Sequence, residues 1–470
     1  MQPYPPLGTL VGAAVLRELH YGVSFFDPMF AASPSEIIPI LEKENPGIFV
    51  LIDDSFNYLT KMCLTNMREA AFEMISLAKK RSCIVIVNSS DSTDHYEKYL
   101  DHGADYVITG EVEISLRELV QKIDSGKNDF EVVEGIIFRR DDKTIVNKKR
   151  EVLHDLDSLP LPAWDLIDIN AYKSRWMDRW GYFSLNISTT RGCPFKCNWC
   201  AKPIYGNRYN VHSPGRVVRE IKMLQSTFDV NHFWMTDDIF GLKPGWVNQF
   251  AALIKREKIN IKYKIQSRVD LLLQENNIKA LAQSGCETVW VGAESGSQKI
   301  LDAMDKGTTV QQIHDATKLL KKQNILVAFF LQFGYPGETS DDIRQTIDMV
   351  MNLMPDDIGV SVSYPLPGTK FYESVKNELA SKANWTDSDE LALMFRNNFP
   401  SAFYKELQRY LHKRFRSRQG LLMLKKLFTH PTKVSARAVI TLSKAPFHFA
   451  GSYIHKLKMK RYEKRKHTNI

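Results

Sequence analysis

The chain has 470 residues, 44% of them hydrophobic and 25% charged, with a formal charge of +9. This balance describes two or three globular domains with ample core material. It excludes a membrane span, because no run approaches the roughly 18 uninterrupted apolar residues a bilayer requires.

The opening "MQPYPPLGTLVGAAVLRELH" lacks a basic n-region ahead of an apolar one, so no signal peptide is expected. Three of the six cysteines are clustered and three are scattered, which is no disulfide framework. A reducing compartment, most simply the cytoplasm, is therefore expected. The charge is uneven: from Ser401 onward there are 18 Lys and Arg against 2 acids.

In chain order, "YPPLGTLVGAAVLREL" reads as the loop and helix that follow a first strand, yet almost no chain precedes it. A truncated start or a lost strand is expected. The runs "GVSFFD", "IFVLID", "CIVIVNSS" and "ADYVITGE" read as buried parallel strands. Helical patterns such as "FNYLTKMCLTNMREAAFEMISLAKK" lie between them. This alternation predicts a doubly wound α/β domain over residues 1–128, with ligands at the carboxyl ends of its strands.

A hairpin around Asp141-Asp142 and the Pro-punctuated linker "LDSLPLPAWDLI" fill 129–181. Six further strands follow, "FSLNIST", "HFWMTD", "YKIQSR", "ETVWVGAE", "VAFFLQFG" and "GVSVSYP", each separated from the next by a helical pattern. They predict a parallel barrel or partial (β/α)6 barrel over 182–396, with function in the loops after its strands. Residues 397–470 are expected to be helical and basic.

"RGCPFKCNWCAKP" follows the first barrel strand and holds Cys193, Cys197 and Cys200. A [4Fe–4S] cluster usually takes four thiolates; three leave one iron open to an outside ligand. A zinc site would need a fourth ligand, the nearest convenient one being His212. A zinc knuckle, or three unrelated thiols, is the alternative.

The Cys-x3-Cys-x2-Cys spacing, with Trp199 just before the last Cys, resembles the radical S-adenosylmethionine superfamily. That resemblance implies a [4Fe–4S] cluster on the three cysteines. It also implies S-adenosylmethionine on the open iron, and cleavage that yields a 5′-deoxyadenosyl radical. It places Trp199, the "MTDDIF" acids Asp237 and Asp238, Arg268 of "SRVD", and Glu294 and Ser295 of "GAESGSQKILDAMDKGTT" around that cofactor. All but Trp199 have a plainer reading: the acids as a helix N-cap, Glu294 and Ser295 as a turn, Arg268 as an ion pair with Asp270.

The likeness is strongest to the cobalamin-binding branch, which contains radical methyltransferases and the anaerobic magnesium-protoporphyrin ester cyclase. The sequence departs from it at "YNVHSP", where Asn210 and His212 stand in positions often held by Arg.

The N-terminal loops "YPPLGTL" and "GADYVITGE" and the "SLREL" helix start resemble a cobalamin module. That resemblance implies Gly8, Thr9, Ser89, Gly110 and Glu111 as corrin contacts. There is no Asp-x-His-x-x-Gly, so His95 and His102 are expected at the surface. Val112 stands where the second Gly of a Gly-Glu-Gly-Glu run usually lies. An α/β domain retained only for packing is the alternative.

Cys63, Cys83 and Cys286 read as free thiols with no second cluster. The resemblance further implies a small-molecule or lipid-like substrate and an electron donor such as flavodoxin or ferredoxin. The expected reaction is methyl transfer to an unactivated carbon, with radical cyclisation or rearrangement as the alternative. A non-catalytic zinc or nucleic-acid-binding protein is the remote one. No residue is assigned to act on the substrate itself. The basic tail reads as a peripheral contact with the inner membrane face, a nucleic-acid contact (the least favoured), or a solvated cap.

Overall fold

The computed structural model describes residues 2–53, 65–379, 391, 393–429 and 442–464. The chain divides into two compact units. The first takes Met1–Phe195, Ala201–Gln266 and Lys279–Glu287, and the second takes Lys196–Cys200, Ser267–Ile278 and Thr288–Ile470.

In the first unit, helix α1 (Leu7–Glu18) precedes a five-stranded sheet in the order β1 to β5. The strands are β1 (Ile48–Ile52), β2 (Ile84–Asn88), β3 (Tyr106–Ile108), β4 (Ile136–Arg140) and β5 (Lys143–Val146). β1, β2 and β3 pair in parallel, with Ile48 opposite Ile84 and Ile86 opposite Tyr106.

Val85 and Val87 turn to one face and pack with Phe72, Ile75 and Ala78 of helix α2 (Thr65–Lys79). Ile86 and Ile108 turn to the other and pack with Leu116 and Leu119 of helix α3 (Val112–Asp124). Burial on both faces is why these strands are continuous apolar runs rather than alternating ones. Cys83, at the start of β2, is buried, as is Cys286; Cys63 lies outside the described residues.

The predicted hairpin is β4–β5. Asp141 and Asp142 both take positive φ (48° and 59°), the twist that two-residue hairpin turns require. It adds antiparallel strands to the sheet through β3. One expectation fails: "GVSFFD" forms no strand. Val23 instead packs on Ala13 and Ala14 of α1, and Asp27 caps a 3-10 turn that Pro28 begins.

The six barrel strands fall where the sequence puts them. β6 (Leu185–Ile187), β9 (His232–Met235) and β10 (Lys262–Ser267) form one parallel ladder. Between β6 and β9, β7 (Thr190–Arg191) and β8 (Asn210–Val211) make a short antiparallel pair. β11 (Cys286–Glu294), which lies in the second unit from Thr288 on, and that unit's β12 (Leu326–Phe333) and β13 (Asp357–Val362) are again parallel. Helix α4 (Ser340–Leu353) follows β12. The helices α5 (Ser401–Thr429) and α6 (Ala445–Lys464) come last and pack on one another. Among the described residues no helix is long and apolar enough to cross a membrane.

The turn after β11 is seated on α4 by close contact. A Cβ on Gly296 would sit 2.5 Å from the Gln345 carbonyl oxygen and 2.7 Å from the Thr346 Cα. Ser295 Oγ lies 3.0 Å from Thr346 Oγ1, and the Gly296 N–H donates to that same oxygen at 2.9 Å. Because the obstacle is backbone, Gly296→Ala is expected to cost about 1–3 kcal/mol by forcing turn and helix apart. Chemical denaturation of the two proteins measures this, and an unchanged midpoint would show that the turn is not seated as described.

Candidate active site

The cysteines begin a loop whose two ends are fastened together. β7 and β8 pair across its base, Thr190 with Val211 and Arg191 with Asn210. Next comes Gly192, with φ at +76°, where a Cβ would lie 2.5 Å from the Arg208 carbonyl oxygen. Only glycine meets both demands at once.

Beneath the base lies Asp237, two residues past β9. Its carboxylate accepts from the N–H groups of Thr189 (2.7 Å) and Thr190 (2.9 Å) and from the Thr189 hydroxyl. Burial pushes Asp237 up to about 7 against the pull of those donors. Both oxygens are therefore used inside the protein, and Asp238 beside it is half-buried.

Arg191, two residues before Cys193, is buried and meets Glu111 at 2.9 Å and Glu113 at 2.6 Å. Its guanidinium stands over the Tyr205 ring, 5.4 Å from the centroid. Burial works against its charge, but Glu113, Tyr205 and Glu111 together hold it above its ordinary value. Glu111 also accepts from the Leu153 N–H. His212 follows β8; burial and Arg216 push it down to about 4, so its ring is neutral near pH 7. Its Nδ1 is committed to Asp157 at 3.1 Å.

In the second unit the middle of the cysteine loop is strapped down through Asn198. Its N–H donates to the Met304 carbonyl (3.1 Å), its side-chain amide to the Ala303 carbonyl (2.6 Å), and Tyr335 donates to its Oδ1 (3.0 Å). Trp199 packs against an apolar group that includes Ile300, Met304 and Phe371. Its Nε1 is buried without a hydrogen-bond partner.

Cys197 faces cations. Arg268 Nη1 lies 3.9 Å from its Sγ and also donates to the Lys306 carbonyl at 2.8 Å, while the rest of the guanidinium grips Asp270. Lys306 Nζ pairs with Glu294 at 2.8 Å, both side chains under 10% exposed. Burial alone would lower Lys306, but Glu294 and Cys197 hold it above its ordinary value.

Glu294 reaches Lys306 from a left-handed backbone (φ 56°), at a slip in the β11–β12 register. A side chain on Gly292 would collide with the pair, 2.7 Å from Lys306 Nζ. The structure thus gathers Cys197, Arg268, Glu294 and Lys306. Ser295 is turned away, onto Thr346 and the Ser297 N–H. Sequence reading did not single out Lys306 or Arg191. Lys306 sits inside the quoted "DAMDKGTT" and Arg191 opens the cysteine motif, so position was the signal available.

The donor set suits a soft metal centre. Among the described residues none of the cysteines is in a disulfide, and Cys193, Cys197 and Cys200 are each half-exposed. Among the described residues no three His, Cys, Asp or Glu side chains already converge as a metal site. Drawing the thiols together is work that binding itself would do.

The residues expected to meet a corrin lie along the carboxyl edge of the first sheet. Thr9, next to Gly8 in α1, donates to the Ile52 carbonyl at 3.0 Å. Asn88 donates to the carbonyls of Ile108 and Gly110, and Ser89 caps the short helix that follows β2. Asn88 Oδ1 and Ser90 Oγ are buried there without a partner. His102 stacks on Phe72, and His95 lies 3.8 Å from Asp91.

Residues 187–350 match the model of the radical SAM superfamily. The chain carries a radical SAM domain. It is an enzyme of that class, whose cofactors are a [4Fe–4S] cluster and S-adenosylmethionine, and it resembles the branch of methyltransferases and cyclases. An uncharacterized methyltransferase of Pyrococcus horikoshii is 28% identical over 93% of this chain and 92% of its own. The anaerobic magnesium-protoporphyrin IX monomethyl ester cyclase of Synechocystis is 25% identical over 78% of this chain and 72% of its own. The cobalamin-dependent S-adenosylmethionine radical enzyme OxsB, solved with aqua-cobalamin, is similar with a TM-score of 0.74 and 17% identity. That match covers 97% of this chain and 70% of OxsB. This likeness shows the fold: an α/β sheet domain ahead of a partial radical SAM barrel.

Two outcomes follow for the radical SAM domain's buried charges. Lys306→Met strands the Glu294 carboxylate and is expected to cost about 3–5 kcal/mol, most of it regained in Lys306→Met/Glu294→Leu. Unfolding curves of the single and double variants measure the coupling, and simple additivity would show that no pair exists. Glu338, after β12, is fully buried with Oε1 unpartnered, and burial raises its carboxyl from 4.5 to about 8. The folded chain then keeps a proton that the unfolded chain has lost between those values. Stability falls with rising pH across that window, by up to ~1.4 kcal/mol per pH unit. Glu338→Gln is expected to flatten that slope, as read from denaturation midpoints at pH 5 to 8.

Proposed function

We propose that the chain catalyses cobalamin-assisted radical methyl transfer to an unactivated carbon of a small, lipid-like substrate. The observation that carries the reading is the fastened cysteine loop, which offers three thiols from a rigid base and has two cations beside Cys197. Cys193, Cys197 and Cys200 would hold a [4Fe–4S] cluster there, which when bound would supply the electron for reductive cleavage of the carbon–sulfur bond of S-adenosylmethionine.

In this reading Cys193, Cys197 and Cys200 are the ligands. Arg268 and Lys306 offset thiolate charge and hold Cys197 toward the metal. Trp199, with its unpartnered Nε1, and Asp238 and Glu294 belong to the seat of S-adenosylmethionine, while Ser295, bonded to Thr346, shapes the turn that presents Glu294. Asp237 has a different task, because its hydrogen bonds fix the loop from below. The corrin is placed over Gly8, Thr9, Ser89, Gly110 and Glu111, where the buried, unpartnered Asn88 Oδ1 and Ser90 Oγ suit a polar ligand. The likeness to OxsB, a cobalamin-dependent protein, supports the same placement. A flavodoxin- or ferredoxin-type donor would supply electrons.

A second reading, radical cyclisation without methyl transfer, is favoured by the likeness to the protoporphyrin ester cyclase. Protein reconstituted anaerobically with iron, sulfide and hydroxocobalamin is given methyl-labelled S-adenosylmethionine. Label in the product supports methyl transfer, and 5′-deoxyadenosine with an unlabelled product supports the second reading. About four irons per chain are expected, lost together with S-adenosylmethionine cleavage in the Cys193→Ala/Cys197→Ala/Cys200→Ala variant. Stoichiometric zinc, or cleavage that survives the triple substitution, overturns both.

A further inference from the structure

Helix α6 is built inside out. Ala445 is buried, and the side chains half-buried along the helix are those of His448, Ser452, His455, Met459, Tyr462 and Glu463, with Gly451 between them. Gly451 lies against the Lys413 side chain of α5, and His455 Nδ1 meets Glu406 of α5 at 2.7 Å. The covered side is therefore largely polar or small.

The exposed side holds Phe447 and Phe449 (67% each), Tyr453 (62%), Ile454 (52%) and Leu457 (45%). Phe449, Tyr453 and Leu457 recur every four residues, and Phe447 and Ile454 are seven apart, so the five form one stripe along the helix. A helix packed on a protein core normally shows the reverse order.

Cations surround the stripe. Lys444, Lys456, Lys458, Lys460 and Arg461 are all exposed. The helix's single acid, Glu463, is bonded to Ser340. The helix spans Ala445–Lys464 but does not qualify as a membrane span. A large apolar stripe, a cationic margin and too polar a composition to cross describe a helix that lies in a bilayer surface.

We propose that α6 docks this chain on an anionic lipid bilayer, with its aromatic stripe in the headgroup–acyl boundary and its lysines among the phosphates. Charge selects this occupant. A second copy would bring five cations against five across an isologous contact. A nucleic acid would need the cations at the centre of the contact, where Tyr453, Ile454 and Leu457 stand. The proposal is independent of the reaction proposed above, since α6 holds none of the residues assigned to it.

The test is co-sedimentation of the full reconstituted chain with vesicles of 30% phosphatidylglycerol in phosphatidylcholine, and with pure phosphatidylcholine, at low and high salt. Binding is expected to the anionic vesicles and to fall steeply with salt. It should drop at least about tenfold in both Phe447→Ser/Phe449→Ser/Tyr453→Ser and Lys456→Glu/Lys458→Glu/Lys460→Glu. Because these side chains are exposed, unchanged helix content by circular dichroism is expected in both. Release of 5′-deoxyadenosine in detergent-free solution should also be unchanged. Failure to bind, equal binding to neutral vesicles, or binding indifferent to the serine variant overturns the proposal. So does a dimer by light scattering that the serine variant abolishes.

Discussion

One buried carboxylate holds the reactive loop in place. Asp237 takes three donors from Thr189 and Thr190, where the chain enters β7 on its way to the cysteines. Without it, two backbone N–H groups would be left inside the protein with nothing to bond, which no buried turn sustains. The β7–β8 pairing, the close approach at Gly192 and the anchoring of Arg191 are all built on that turn. Sequence likeness assigns Asp237 to cofactor contact; in the structure both of its oxygens accept from Thr189 and Thr190.

Much of this was legible in the sequence because the strands are buried on both faces. Such strands appear as unbroken apolar runs, and "CIVIVNSS" or "VAFFLQFG" admit few other readings. Asp141-Asp142 was legible for a different reason, since side chains that tolerate positive φ mark a two-residue hairpin. "GVSFFD" misled because an apolar run identifies burial but not its partner: Val23 is covered by α1, not by a neighbouring strand.

The site was legible as a set of positions and not as directions. Spacing put Glu294 and Ser295 together after β11, but the register slip and the left-handed backbone at Glu294 turn their side chains apart, one to Lys306 and the other to α4. Lys306 itself lies 12 residues beyond its partner, a separation that no helical or strand period links. Charges brought together by loops leave no periodic trace, which is why the cations near Cys197 emerge only from the folded chain. Cys63 lies outside the described residues, so its reading stands on sequence alone.

Arg191 stands between two acids that precede it by about 80 positions. Its guanidinium is balanced by Glu111 and Glu113 in a place where water does not reach. Loss of Arg191 would leave both carboxylates buried without their counter-charge, an imbalance that neither can relieve by turning outward. In a lineage descended from this chain the three should change in concert or not at all, so exchange of the front domain between relatives would succeed only when residue 191 travels with it.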